Sequence, residues 1–186
     1  MKKEIKKTKQ ILKCCYGISS YVDKNKHVFM IDYDNVKLED VISHLRYVME
    51  RFKLSKVFVI KSTHGYNAIS LNVLPLYIIY QIGMEINSIA DRDFFKYGYG
   101  RRYYVLRFDK DKKLVKVLKS RDKNIYDNSL AHKMFLEWFF NIKIEIDNSF
   151  LNNTKLDIIQ YPSKKNGYHK VSKSFPSYPF KGVLND

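Results

Sequence analysis

An apolar run that ends in two carboxylates is the feature that most constrains the fold of this chain. Residues 28–31 read Val-Phe-Met-Ile, and Asp32 and Asp34 follow with one tyrosine between them. Four consecutive apolar residues before a polar break predict a buried β-strand. Because residues i and i+2 of a strand point to the same face, the two carboxylates are expected to project side by side.

The carboxylate pair of Asp32 and Asp34 predicts a cation site. Two adjacent carboxylates at the end of a core strand repel each other unless a positive charge neutralises them. Hard oxygen ligands favour Mg²⁺ or Mn²⁺ in that role. An Asp-rich turn or a helix N-cap would use the same residue types, so the pair alone leaves both interpretations open.

Composition indicates a basic, aromatic, folded protein. The 186 residues carry a net charge of +15 and include 15 Tyr and 12 Phe, which favours nucleic acid as partner. The two cysteines, Cys14 and Cys15, are adjacent and allow no disulfide framework, so a reducing, cytoplasmic setting is expected, the host cytoplasm if the protein is viral. No apolar stretch approaches the roughly 20 residues that cross a bilayer, so no membrane association is expected.

The order of apolar patterns predicts an α+β fold with a mixed or antiparallel central sheet. Helices are expected at residues 37–52, 73–82 and 129–140, and strands at 57–60, 102–108, 114–118 and 142–146, with residues 109–112 as a hairpin-like turn. The predicted domain organisation is a basic arm (1–13), one domain (14–160) and a basic aromatic tail (161–186).

A second polar break follows the strand at 57–60. Gly65 within it permits a left-handed or very tight turn, and the flanking hydroxyls and amides can converge on an anion. Lys61 adds charge, and the candidate phosphate partners are Ser62, Thr63, His64 and Asn67. An ordinary hairpin turn remains the alternative.

A third block offers another carboxylate followed by arginines. Asp91 follows two apolar residues and is expected at a strand end, while Asp93 fits a helix N-cap equally well. Arg101, Arg102 and Arg107 come next, and Arg107 lies within an apolar run, where it needs a carboxylate or a bound phosphate as partner.

Taken together, the three blocks resemble the archaeo-eukaryotic primase superfamily. Its members show a strand ending in D-x-D or D-x-E, then a strand ending in a Ser-x-x-Gly-x-His-like turn, and then an apolar-Asp element followed by arginines. The resemblance covers about residues 28–118 and implies an RRM-like primase-polymerase core. It implies a two-metal Mg²⁺ or Mn²⁺ site on Asp32, Asp34 and Asp91, which would be the catalytic residues. The turn and Arg107 would seat the triphosphate.

The implied partners are nucleoside triphosphates and single-stranded or primer-template nucleic acid. Candidate nucleic-acid contacts are Lys61, Arg101, Arg102, Lys164 and Lys165. Asn67 stands where the family has a histidine that contacts the triphosphate, and His64 is the candidate to compensate. A helicase partner and the oligomeric state are left open.

Two alternatives remain. One is a catalytically degenerate nucleic-acid-binding protein of the same fold, which Asn67 favours and the intact Asp pair opposes. The other is a metal-dependent nuclease of the NYN/PIN type, which predicts further carboxylates at the ends of parallel strands. The tyrosines at 97, 99, 103 and 104 fit base stacking or a buried aromatic strand equally well.

Overall fold

The computed structural model describes residues 15–85, 89–109, 111–120 and 128–145, with the backbone alone at 15–16, 151–152, 157–161 and 171–174. The predicted basic arm, Lys164 and Lys165 lie outside these residues. The strands are β1 (Cys15–Ser19), β2 (Tyr21–Asp23), β3 (Lys26–Asp34), β4 (Lys56–Lys61), β5 (Gly65–Pro75), β6 (Val105–Phe108), β7 (Lys113–Lys119), β8 (Asn128–Ser129), β9 (Leu151–Asn152), β10 (Asp157–Tyr161) and β11 (Val171–Ser174). The helices are α1 (Leu38–Arg51), α2 (Leu76–Glu85), α3 (Arg92–Arg101) and α4 (Leu130–Phe140).

A seven-stranded sheet forms the centre of the described structure. Its main path runs β2-β3-β5-β4-β7, and all of these neighbours are antiparallel. Along the chain β3, α1, β4 and β5 follow one another, yet β5 lies between β3 and β4. The expected α+β fold with an antiparallel sheet is confirmed.

Strand β3 and helix α1 form as their sequence patterns predict. The apolar residues of β3 from Val28 to Ile31 are fully buried, and Asn35 ends the strand with a positive φ of 57°. The inward positions of α1 follow the 3.6-residue period and are Val41, Leu45, Val48 and Met49. Burial of each of these side chains contributes roughly 1.5–3 kcal/mol to stability. The packing of α1 therefore holds β3, the strand that carries the two carboxylates, in place.

A second, four-stranded sheet has the order β11-β10-β1-β6 and is antiparallel throughout. The predicted hairpin through residues 109–112 is therefore wrong, because β6 pairs with β1 while β7 pairs with β4 in the other sheet. The linker between them crosses from one sheet to the other. Strand β11 falls within the predicted tail, and the predicted domain limits stay a prediction.

The remaining helices differ from expectation in their limits. Strand β5 continues to Pro75, so the helix predicted from residue 73 begins only at Leu76. Helix α4 is confirmed, with Ser129 as its N-cap, whereas residues 142–145 have no regular structure, against the predicted strand. Among the described helices, none has the length and apolar character needed to cross a bilayer.

Candidate functional site

Three acidic residues from two distant parts of the chain meet at the end of β3. The backbone N–H of Asp91 donates to the carbonyl oxygen of Asp32 (3.0 Å), and Asp34 follows Asp32 on the same strand face. Asp91 is the N-cap of α3, its Oδ1 accepting from the N–H of Asp93 (2.9 Å), so the expected strand end is wrong and the residue begins a helix. Asp93 itself is exposed in the first turn.

The surroundings of Asp32 disfavour its charged form. Burial raises the pKa of Asp32 to about 6, and the negative charges of Asp34 and Asp91 act in the same direction. Lys112 and the N–H of Tyr33 oppose that shift. A cation bound near Asp32 would therefore stabilise the charged form of this carboxylate.

Asn67 joins Asp32 to Lys112. The register of β3 and β5 sets Asn67 directly opposite Asp32, and its Nδ2 donates to Asp32 Oδ1. Lys112 Nζ in turn donates to Asn67 Oδ1. Lys112 belongs to no motif in the sequence, and its place depends on the linker crossing between the sheets, so sequence reasoning missed it.

The Ser62–Gly65 turn lies at the rim of the cluster. Asp34 pairs with Gly65, the N–H of Asn35 donates to the His64 carbonyl (2.8 Å), and the N–H of Ser62 donates to the Gly65 carbonyl (3.0 Å). The side chains of Thr63 and His64 are exposed. The turn is thus next to Asp34.

Gly65 is required by close packing and not by a left-handed turn. A Cβ on Gly65 would lie 1.8 Å from the carbonyl oxygen of Tyr33, while its φ is outside the left-handed range. Of the two expected reasons for this glycine, the left-handed conformation is therefore wrong, whereas the Ser62 N–H donates to the Gly65 carbonyl across a tight turn. Its absent side chain lets β3 and β5 approach at the point where Asp34 sits.

Lys61 lies on the other face of the sheet. It pairs with Tyr66, which pairs with Tyr33, so these three residues share the face opposite Asp32 and Asn67. The Lys61 Nζ is 4.2 Å from the centre of the Tyr66 ring, a cation–π contact. The structure places Lys61 near the turn but away from the carboxylate face.

Arg101 and Arg102 lie at the end of α3 that is far from Asp91. Arg101 ends the helix, and Arg102 caps it with a left-handed φ of 68°. Ten helical residues span roughly 15 Å, so these arginines and Asp91 lie at opposite ends. Arg107 is exposed on β6, opposite Gly17 in the four-stranded sheet.

The tyrosines around Gly98 belong to α3 and not to a strand. Tyr97 and Tyr99 are 66% and 38% exposed, and the Tyr99 ring packs 4.3 Å from Tyr80 on α2. Tyr104 is buried against Phe94 (5.3 Å). The aromatic segment therefore divides into an exposed part and a core part.

The donor set suits a hard cation in part. Asp32 Oδ1 accepts from Tyr33 and Asn67, whereas Oδ2 accepts no hydrogen bond from the described residues. Within the described ranges, no three His, Cys, Asp or Glu side chains are arranged as a ready metal site. Carboxylates that supply one or two ligands, with substrate oxygens supplying the rest, are the usual mode for Mg²⁺. The chemistry of the donors fits that mode.

Comparison of the chain with protein-family models, curated proteins and solved structures gives no match.

Proposed function

We propose that the protein is a metal-dependent nucleotidyltransferase of the primase-polymerase type that acts on a nucleic-acid template. The observation that carries the proposal is the hydrogen bond from Asp91 N–H to the Asp32 carbonyl, which brings the backbone of a distant acidic residue to the strand that bears Asp32 and Asp34. A structural turn at Asp32 and Asp34 would have no need of Asp91. Convergence of the three motifs is what the resemblance requires.

The strand order supports the same assignment. An RRM-like core contains a β-α-β unit whose two parallel strands are separated by a third, antiparallel strand. Here β3, α1 and β4 make that unit, and β5 lies between the strands. One departure is that β2, which precedes β3 in the chain, occupies the position on its outer side.

The residues of the site have separable roles in the proposed reaction. Asp32, Asp34 and Asp91 would hold Mg²⁺ or Mn²⁺, which when bound would activate a 3′-hydroxyl and stabilise the leaving pyrophosphate. Asn67 fixes the orientation of the Asp32 carboxylate through its Nδ2. The hydroxyls of the Ser62–Gly65 turn would contact phosphate at the rim.

Nucleic acid would lie along α3, leading away from Asp91. This helix exposes Tyr97 and Tyr99 and ends at Arg101, so it offers both stacking surfaces and phosphate partners. The overall charge of +15 favours a polyanion. Arg101 and Arg102 are thus proposed as template contacts and not as ligands of the reacting phosphates.

A primer-extension and de novo priming assay on a single-stranded template tests the proposal. Wild-type protein with Mn²⁺ or Mg²⁺ should extend the primer, and Asp34→Ala should abolish extension. Asp93→Ala is the matched control, because this exposed carboxylate lies in the same helix turn as Asp91 and should be dispensable. Two outcomes would contradict the proposal. One is primer extension by Asp34→Ala at the wild-type rate, and the other is no extension by the wild-type protein with either metal.

A catalytically degenerate nucleic-acid-binding protein is the second candidate. Asn67 favours it, because its amide is engaged with Asp32 and Lys112 and carries no charge for a triphosphate. Such a protein would retard single-stranded DNA equally with and without metal or nucleotide. The nuclease alternative is not favoured, since β3, β4, β5 and β7 pair only in antiparallel fashion.

A further inference from the structure

Lys112 reaches the carboxylate cluster from an anchored turn. The N–H of Lys112 donates to the carbonyl of Asp109 (3.2 Å), and the Asp109 carboxylate accepts from the N–H of Asp111 (3.1 Å). The backbone at Lys112 is therefore held in place. Its side chain is long, flexible and only half-buried, and its ammonium bonds to Asn67.

The ammonium lies where a cation is needed. Asn67 donates to Asp32 on one side and accepts from Lys112 on the other, so one amide couples the lysine to the carboxylate. The ammonium is therefore held one amide away from the Asp32 carboxylate.

We propose that Lys112 is an internal counter-ion that substitutes for a divalent cation in the metal-free protein and moves to the nucleotide triphosphate when the cation binds. The second half of this proposal rests on the proposed function. Divalent cations would take over the neutralisation of Asp32 and Asp34, and the released ammonium would be close to the substrate phosphates. Lysine is a common phosphate ligand and acts there as a point charge.

The exchange also accounts for Asn67. The amide of Asn67 carries no charge for a phosphate and faces Asp32 and Lys112. Lys112 would then supply that positive charge from a different element. The amide would serve to hold the lysine and the carboxylate in register.

Direct binding measurements on the full chain test the first half. Lys112→Met keeps the aliphatic stem and removes the charge, and Lys113→Met is the matched control, because the next residue is exposed at the start of β7 and pairs with Lys61. Calorimetric titration with Mn²⁺ alone should show about fivefold tighter binding to Lys112→Met. Lys113→Met and the charge-retaining Lys112→Arg should bind Mn²⁺ within twofold of the wild type. Unchanged or weaker Mn²⁺ binding by Lys112→Met overturns the counter-ion role.

The second half is tested with dATP at saturating Mn²⁺. Lys112→Met should weaken dATP binding about 10- to 100-fold, and Lys112→Arg should recover most of the loss. An effect no larger than that of Lys113→Met overturns the phosphate role. Asp34→Ala separates this inference from the proposed function. If Asp34→Ala abolishes Mn²⁺-dependent dATP binding and Lys112→Met does not weaken it, only the role of Lys112 fails. If Asp34→Ala binds dATP as the wild type does, the proposed function fails.

Discussion

The two faces of the central sheet differ sharply at the end that carries the carboxylates. Asp32 and Asn67 occupy one face, where burial disfavours the charge of Asp32. Tyr33 and Tyr66 occupy the other, and Tyr33 is fully buried with its hydroxyl hydrogen-bonded to His44 Nδ1 (2.6 Å). Burial raises the pKa of Tyr33, so this hydroxyl stays neutral.

This difference indicates how β3 can be stably packed on one face while it carries two carboxylates that repel each other on the other face. Successive residues of β3 alternate between the faces, so Tyr33 anchors the strand to α1 between the two repelling carboxylates. Packing on the Tyr33 face offsets the repulsion on the Asp32 face. Substitutions on the two faces should therefore change stability and cation binding independently.

Gly65→Ala should have the largest effect, because it disturbs both faces at once. The added methyl group would meet the Tyr33 carbonyl at 1.8 Å, so β3 and β5 must separate. We expect a loss of roughly 3–5 kcal/mol in the free energy of unfolding, measured by urea denaturation. Gly100→Ala is the control, since its Cβ meets nothing within 4 Å on α3 and should stabilise by up to about 1 kcal/mol. Equal stability of the two variants would show that the strands do not approach so closely.

Acid should weaken the Tyr33 face through His44. Burial lowers the pKa of His44 from 6.5 to about 4. Between pH 6.5 and pH 4, His44 is therefore protonated in the unfolded chain and neutral in the folded protein. The stability present above pH 6.5 is therefore lost as the pH falls towards 4. Compared with His44→Gln, the wild type should lose about 2 kcal/mol more of its unfolding free energy between pH 7 and pH 5, measured by urea denaturation. Parallel pH profiles for the two proteins would contradict a neutral, buried His44.

The predictable parts of the structure are those set by contiguous sequence. Strand β3 and helix α1 follow from periodicity alone, and the Ser62–Gly65 turn follows from a polar break between two apolar runs. Asp91 and Asp32, which the motif order grouped, are joined by a backbone hydrogen bond. Its element was wrong, because an Asp after apolar residues reads equally as a strand end or a helix N-cap.

The parts that could not be predicted depend on contacts between distant segments. Gly98 and Gly100 disfavour a helix, yet α3 forms, and a Cβ on Gly98 would lie 2.1 Å from the Tyr104 ring. That packing is tertiary and leaves no local pattern. Likewise Lys112 reaches Asn67 only because β6 and β7 join different sheets, whereas local sequence favours pairing them with each other.

Tyr33→Phe should destabilise the buried face without changing the site. The substitution keeps the ring and removes the hydroxyl that bonds His44, whose Nε2 is already buried without a partner among the described residues. We expect a loss of about 1 kcal/mol in unfolding free energy, because one buried hydrogen bond is lost. Isothermal titration should give an unchanged Mn²⁺ affinity. A large change in that affinity would mean that the two faces are coupled through the strand.

Asp34→Asn should have the smallest effect on stability, and of opposite sign. Removing this exposed charge relieves its repulsion of Asp32, so the pKa of Asp32 should fall towards its ordinary value. The melting temperature of the metal-free protein should rise by roughly 1–3 °C. Wild-type protein should gain stability when Mn²⁺ is added, whereas the variant should gain little, because one of the cation's carboxylates is missing. Scanning calorimetry with and without Mn²⁺ measures both effects. If Mn²⁺ stabilises the variant as much as the wild type, the carboxylate face is not a cation site. The charges of Asp32 and Asp34 would then destabilise the fold without contributing to cation binding.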